Sequence, residues 1–212
     1  MKKSTLQELM VSEQIESRGI NDKAVLQAMK KVPRHLFVKE SLVSEAYCDY
    51  PLPIGMQQTI SQPYIVALMS EYLQLRPEHK VLEIGTGCGY QTAVLAEIVD
   101  RVYTIEIVPQ LAKLARNNLL KLNYHNIYYK VGDGLSDWQS EAPFDRIIVT
   151  AAPEILPMQL LQQLKVNGSM VIPVGIQAQT LYRIVKRADK IEQQKLASVR
   201  FVTMTGKMKN EK

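Results

Sequence analysis

The run Glu83-Ile84-Gly85-Thr86-Gly87-Cys88-Gly89 has the form E-x-G-x-G-x-G. Glycines so spaced permit a tight turn and let main-chain N–H groups come close to a bound ligand. About twenty residues further on stands Glu106, where a carboxylate can accept both hydroxyls of a ribose. Asp133, within Val131-Gly132-Asp133-Gly134, can accept from the amino group of an adenine. A dinucleotide fingerprint, G-x-G-x-x-G, would place glycine at position 90, where this chain has Tyr90, so a pyrophosphate site is disfavoured. Readers of ribose and adenine without a pyrophosphate loop describe S-adenosylmethionine as the ligand. Taken singly, each feature has a plainer reading: an unliganded glycine turn, a helix cap or a turn former. What favours the ligand is that all three would line one crevice.

Ser61, in Gln57-Gln58-Thr59-Ile60-Ser61-Gln62-Pro63, raises a different chemistry. A serine nucleophile needs a base and an orienting group beside it. The chain has three histidines, His35, His79 and His125, and no G-x-S-x-G elbow. Ser61 is therefore read as a positioning group rather than a nucleophile. Its position ahead of Pro63 also suits a helix cap.

These residues need a frame that brings them together. After Pro77 short apolar strands alternate with helices. Strands are expected at 80–84, 101–105, 126–131, 144–150 and 169–174, with helices at about 91–98 and 156–164. Leu111, Leu114, Ala115, Leu119 and Leu122 mark a further helical face. Such alternation implies an α/β fold with a doubly wound, mainly parallel sheet, whose strand ends hold ligands. Up to residue 75 the chain reads as helices and loops. Asn21-Asp22 is a helix start, and the punctuation of Pro51-Leu52-Pro53-Ile54-Gly55 reads as a loop. A helix should follow Pro63. Two β-rich stretches within 179–204 would close the sheet as an antiparallel edge. The expected organisation is a single domain: a helical N-terminal region at 1–75, a cofactor-binding core at 76–175, and strands with a tail at 176–212.

Hydrophobic residues make up 46% of the chain and charged residues 22%, with a net charge of +5, which fits a soluble globular protein with a mixed surface. Two cysteines, Cys48 and Cys88, form neither a zinc set nor a disulfide framework, so no metal is expected and the setting is cytoplasmic. Glu8 and Glu13 interrupt any signal-peptide core, and no apolar run reaches the ~20 residues that span a bilayer. His35 reads as a loop anchor, Tyr128, Tyr129 and Tyr182 as sheet-packing residues, and 207–212 as a solvated tail.

The sequence resembles bacterial protein-L-isoaspartate O-methyltransferases over nearly its whole length. The resemblance is carried by VPRHLFV (32–38), AYCDYPLPIG (46–55), QTISQP (58–63), VLEIGTGCGYQTAVLA (81–96), VYTIE (102–106), VGDG (131–134), VTAAPE (149–154) and PVG (173–175). It implies a class I methyltransferase fold and methyl transfer from S-adenosylmethionine to the α-carboxylate of L-isoaspartyl residues in damaged proteins and peptides. It further implies that Glu83 and Gly85, Thr86, Gly87, Cys88 and Gly89 belong to the cofactor site at its methionine end. Glu106 would hold the ribose, and Asp133 with Gly134 the adenine. Thr59, Ile60 and Ser61 would meet the peptide, opposite Ala151, Ala152 and Pro153. Two positions depart from the family pattern: Gln57 stands where the signature has glycine, and Thr203 where it has proline.

Partners are then isoaspartyl proteins and peptides, with neither nucleic acid nor membrane, and the chain acts as a monomer. Two alternatives stand beside this reading. One is a class I methyltransferase acting on RNA or a small molecule, although Thr150-Ala151-Ala152-Pro153 occupies the place of an N-P-P-Y-like motif. The other is a cofactor-binding protein without turnover.

Overall fold

A computed structural model of the chain describes residues 3–134 and 137–206. The tail expected at 207–212 lies outside the described residues. Helix α1 (Lys3–Leu9) continues into a π-helical turn, Met10–Ile15, and α2 covers Lys23–Lys31. Asp22 begins α2: its Oδ1 accepts from the main-chain N–H of Ala24 at 2.9 Å and Val25 at 3.1 Å. Two donors that a helix start leaves open are thereby satisfied. Val25, Leu26 and Met29 then turn inward as one buried face.

The stretch expected as a loop at PLPIG is instead half of a β-hairpin, β1 (Leu52–Gly55) paired antiparallel with β2 (Gln58–Ile60). Leu52, Ile54 and Ile60 are buried while Pro53 and Thr59 are exposed, the two-residue alternation of a strand. Its turn residues, Met56 and Gln57, have φ of 50° and 58°. Two left-handed residues in a two-residue loop make the turn that matches strand twist, usually built from Asn-Gly. Neither residue advertises that geometry, so the sequence shows punctuation without the hairpin.

Helix α3 (Pro63–Tyr72) follows, with Gln62 at its N-cap and no side chain capping it. The cap reading of Ser61 is thus not realised.

One seven-stranded sheet carries the rest, in the order β5-β4-β3-β6-β7-β8-β9. Its strands are β3 (Lys80–Ile84), β4 (Arg101–Glu106), β5 (Ile127–Val131), β6 (Phe144–Val149), β7 (Leu164–Val174), β8 (Gln179–Lys186) and β9 (Ile191–Val199). β3 to β7 run parallel, and β8 and β9 close the edge antiparallel. Strand alternation sends Val81 and Val102 into one core, beneath α3, α4 (Tyr90–Ala96), α5 (Pro109–Lys121) and the N-terminal helices. Leu82 and Tyr103 enter the other, beneath α6 (Met158–Gln163) and Trp138. β7 starts at Leu164 rather than at Ser169, because Leu164 already pairs with Phe144 before a slip in register, with Asn167 at φ 65°. The chain leaves β3 toward β4 and returns on the other side as β6. That reversal opens a crevice at the carboxyl ends of these strands, where sheets of this kind take ligands.

Candidate active site

The glycine run forms the turn between β3 and α4. The N–H groups of Gly85 and Thr86 both donate to Ile105 O, at 2.9 and 3.2 Å, which ties the loop to the end of β4. Gly85 has φ 95°, and a Cβ there would collide with Thr150 Oγ1. That hydroxyl donates to Gly85 O at 2.6 Å and to Ile84 O at 3.1 Å, so glycine and threonine fit only as a pair. At Gly89, with φ 91°, a Cβ would come within 2.9 Å of Leu119 in α5. The final glycine thus serves helix packing.

Glu106 ends β4 with its carboxylate held from both sides. Gly87 N donates to Oε2 at 2.8 Å and Val108 N to Oε1 at 2.9 Å. These bonds leave lone pairs on both oxygens for hydroxyls in the crevice. The crevice encloses about 850 Å³ of empty space, part of it open to solvent, and is lined by the glycine loop, Glu106, Asp133, the hairpin end and the segment 202–205. Among the described lining residues there are two carboxylates, Glu106 and Asp133, and neither lysine nor arginine. A pyrophosphate would find no counter-charge here, whereas a cation finds two.

Several expected site residues stand behind the lining rather than in it. Glu83 is fully buried. Its Oε2 accepts from Thr92 Oγ1 at 2.5 Å and Thr104 Oγ1 at 2.6 Å, and Thr104 Oγ1 lies 2.6 Å from Thr86 Oγ1. Burial pushes the Glu83 carboxyl up to about 8, against the pull of the Thr104 and Thr92 hydroxyls. Glu83 therefore supports the loop from below, and burial favours its protonated form. Gly134, with φ 86°, is not among the described lining residues, whereas Gly132 is. Ala152 is buried; its N–H donates to Val202 O at 2.9 Å and its carbonyl accepts from Met204 N at 2.8 Å. Pro153 O accepts from Gly175 N at 2.9 Å. Ala152 and Pro153 form a foundation, and only Ala151 of that trio reaches the crevice.

A second groove, with about 980 Å³ of empty space partly open to solvent, adjoins the first. Thr59, Ser61, Thr150 and Val202 border both. No hydrogen bond joins the Ser61 hydroxyl to another described residue. Gln62, the next residue, is anchored through Nε2 to Asp49 Oδ2 at 2.7 Å, and Arg18 NH1 binds the same oxygen at 2.6 Å. Arg18 also lies over the Tyr64 ring, 3.6 Å from its centroid. His35 Nδ1 pairs with Tyr47 OH at 2.6 Å, so it is a loop anchor.

A profile of the protein-L-isoaspartate(D-aspartate) O-methyltransferase family matches residues 4–209. The chain belongs to that family. It is 55% identical over 201 residues to a Picosynechococcus protein-L-isoaspartate O-methyltransferase, covering 95% of this chain and 90% of that one. Among solved structures, a protein-L-isoaspartate O-methyltransferase superposes at a TM-score of 0.87 with 26% identity, over 99% of this chain and 68% of the other. A Plasmodium falciparum beta-aspartate methyltransferase in complex with S-adenosyl-L-homocysteine superposes at 0.81 with 28% identity, over 98% of each chain.

Sequence reasoning missed Gly132, Tyr90, Gln91 and Thr150, whereas the wall at Val202 and Thr203 falls where the family pattern places a final active-site strand. Tyr90 is buried with the Arg34 guanidinium 4.9 Å from its ring centroid, and Arg34 is itself fully buried, with Nε donating to Ala46 O at 2.8 Å. Burial pulls that guanidinium below its ordinary range. Thr150 had a signal, since a hydroxyl closing a parallel strand beside a glycine loop can occupy the space a missing Cβ leaves. Val202 and Thr203 were marked by the family pattern alone, because their place depends on a parallel bridge from Thr203 to Ala152.

Proposed function

We propose that this chain transfers the methyl group of S-adenosylmethionine to the α-carboxylate of L-isoaspartyl residues in damaged proteins and peptides. The ester so formed begins repair through a succinimide. What carries this reading is the shared wall of Thr59, Ser61, Thr150 and Val202, where a donor in one crevice and an acceptor in the other meet. When bound, S-adenosylmethionine supplies an electrophilic methyl group on a cationic sulfur. A lining with two carboxylates and no described cation fits such a molecule. Glu106 would hold the ribose hydroxyls, Asp133 the adenine amino group, and the loop from Gly85 to Cys88 the methionine end. Membership of the family and the Plasmodium relative's S-adenosyl-L-homocysteine complex support this placement.

An α-carboxylate with a reference pKa near ~3.5 is already ionised at neutral pH. Its oxygen takes the methyl carbon by in-line displacement as the carbon–sulfur bond opens, the electron pair leaving on sulfur. No proton moves, so the site needs no general base. The chain's task is alignment and exclusion of water, and orientation of this kind contributes several kcal/mol. The Ser61 hydroxyl, uncommitted within the described chain, donates to one carboxylate oxygen while the other attacks. Thr59, Ile60 and Ala151 close around the acceptor, and Ala152 and Pro153 brace that wall. The ester then loses methanol to the neighbouring peptide nitrogen, a ring closure that needs no residue of the protein.

The same reading takes the enzyme to act as a monomer. Free Cys48 and Cys88 suit a reducing cytoplasm. No helix among the described residues is long and apolar enough to cross a membrane. Among its described lining residues the acceptor groove presents one cation, Arg200, where a nucleic-acid track would need a row.

Labelled S-adenosylmethionine offered with matched isoaspartyl and aspartyl peptides tests the proposal. Base-labile methyl ester is expected on the isoaspartyl peptide alone. Equal labelling of the pair, or labelling of RNA instead, would overturn it.

A further inference from the structure

Among the described residues that line the acceptor groove, one is charged. Arg200 lines it together with the apolar Pro51, Ile65 and Phe201, and no described carboxylate does. Arg200 is exposed, and no ion pair or hydrogen bond engages its guanidinium among the described residues. Arg18, by contrast, is held by Asp49 at 2.6 Å. The segment that carries Arg200 is fixed in place. Gln179 clamps its neighbour Phe201 twice, with Oε1 accepting from Phe201 N at 2.6 Å and Nε2 donating to Phe201 O at 3.1 Å. Val202 is bonded to Ala152 and forms part of the shared wall. A mobile surface arginine would recognise little, but this one rises from a clamped support at the edge of the site.

Distance decides what Arg200 can meet. It precedes Val202 by two residues, and an extended chain advances about 3.3 Å per residue. A peptide whose isoaspartyl carboxylate lies at the shared wall therefore brings its residues one or two positions away alongside Arg200. An unpaired cation there attracts a carboxylate and repels an ammonium, in a groove whose other described walls carry no charge.

We infer that Arg200 is a specificity-determining residue that favours substrates with Asp or Glu one or two positions from the isoaspartyl residue over those with Lys or Arg. This rests on the isoaspartyl methyltransfer reading and refines its substrate class.

The test compares kcat/KM for a neutral isoaspartyl peptide and its single Glu and Lys counterparts, at two positions on each side, in wild type, Arg200→Gln and Arg200→Glu. Each comparison is a ratio within one protein, so losses common to all peptides cancel. Wild type should favour Glu over Lys by about two- to fivefold at one or more positions, the size measured for exposed ion pairs. Added salt should shrink the ratio. Arg200→Gln should flatten it and Arg200→Glu invert it. No preference in wild type, or the same preference in Arg200→Glu, would overturn the inference. Failure of every protein to esterify the neutral isoaspartyl peptide would instead strike at the methyltransfer reading.

Discussion

The main-chain N–H of Gly87 donates to Glu106 Oε2 at 2.8 Å, so the loop that follows β3 is pinned by the carboxylate that ends β4. Glu106 is thus both a wall of the crevice and a strut for its floor. Glu106→Ala should weaken S-adenosyl-L-homocysteine binding by about 1.5–3 kcal/mol, roughly ten- to a hundredfold. Titration calorimetry on the two proteins measures this, and equal affinities would remove Glu106 from the site.

Ser61→Ala should lower turnover of an isoaspartyl peptide about ten- to a hundredfold, the size of one hydrogen bond to a charged group. Cofactor affinity and melting temperature should barely move, because no side chain caps α3. A stability loss of about 1 kcal/mol with normal turnover per folded molecule would mean a capping role instead. Ser61→Cys should show no methylated side chain by mass spectrometry.

Glu83 makes stability depend on pH. Burial raises its folded pKa to about 8, well above the unfolded value near ~4.3. Its protonated form is the one the fold accommodates. The contribution is fully present below the unfolded value and is lost as pH rises through about 8. Glu83→Gln keeps a neutral group there. Between pH 6 and 9 the wild-type melting temperature should fall further than the variant's, by on the order of a few °C. Parallel curves would show that Glu83 does not carry the dependence.

Gln57, with φ 58°, occupies a left-handed position that costs a non-glycine residue about 1–2 kcal/mol. Part of any gain from glycine is offset by the freedom glycine has when unfolded. Gln57→Gly should therefore raise stability by about 0.5–1 kcal/mol, read from the denaturant midpoint at unchanged slope. A drop would mean that Gln57 makes a contact worth more than the turn strain.

The sequence showed the parts of the site that obey local rules. Alternating apolar strands and helices gave the parallel sheet, and the glycine run with Glu106 and Asp133 at successive strand ends marked the crevice. It hid what depends on contacts between distant residues. The hairpin at Leu52–Ile60 turns on Met56 and Gln57, which carry no turn signature. Glu83 looked like a ligand because it adjoins the glycines, yet strand geometry turns it into the interior toward Thr92 and Thr104. Val202 and Thr203 close the crevice through a bridge from Thr203 to Ala152, two residues far apart in the sequence, which the family pattern marked but no spacing rule announces.

The hairpin that presents Thr59 and Ser61 also places Ile54 Cδ1 at 3.5 Å from where a side chain at Gly87 would begin. The hairpin therefore borders both crevices, which would couple the proposed donor site to the proposed acceptor site. Linkage requires that such coupling be mutual: whatever factor the nucleoside adds to peptide affinity, the peptide returns to nucleoside affinity. On the proposed placement, a damaged protein held at the hairpin would thereby also be a latch on the methyl donor.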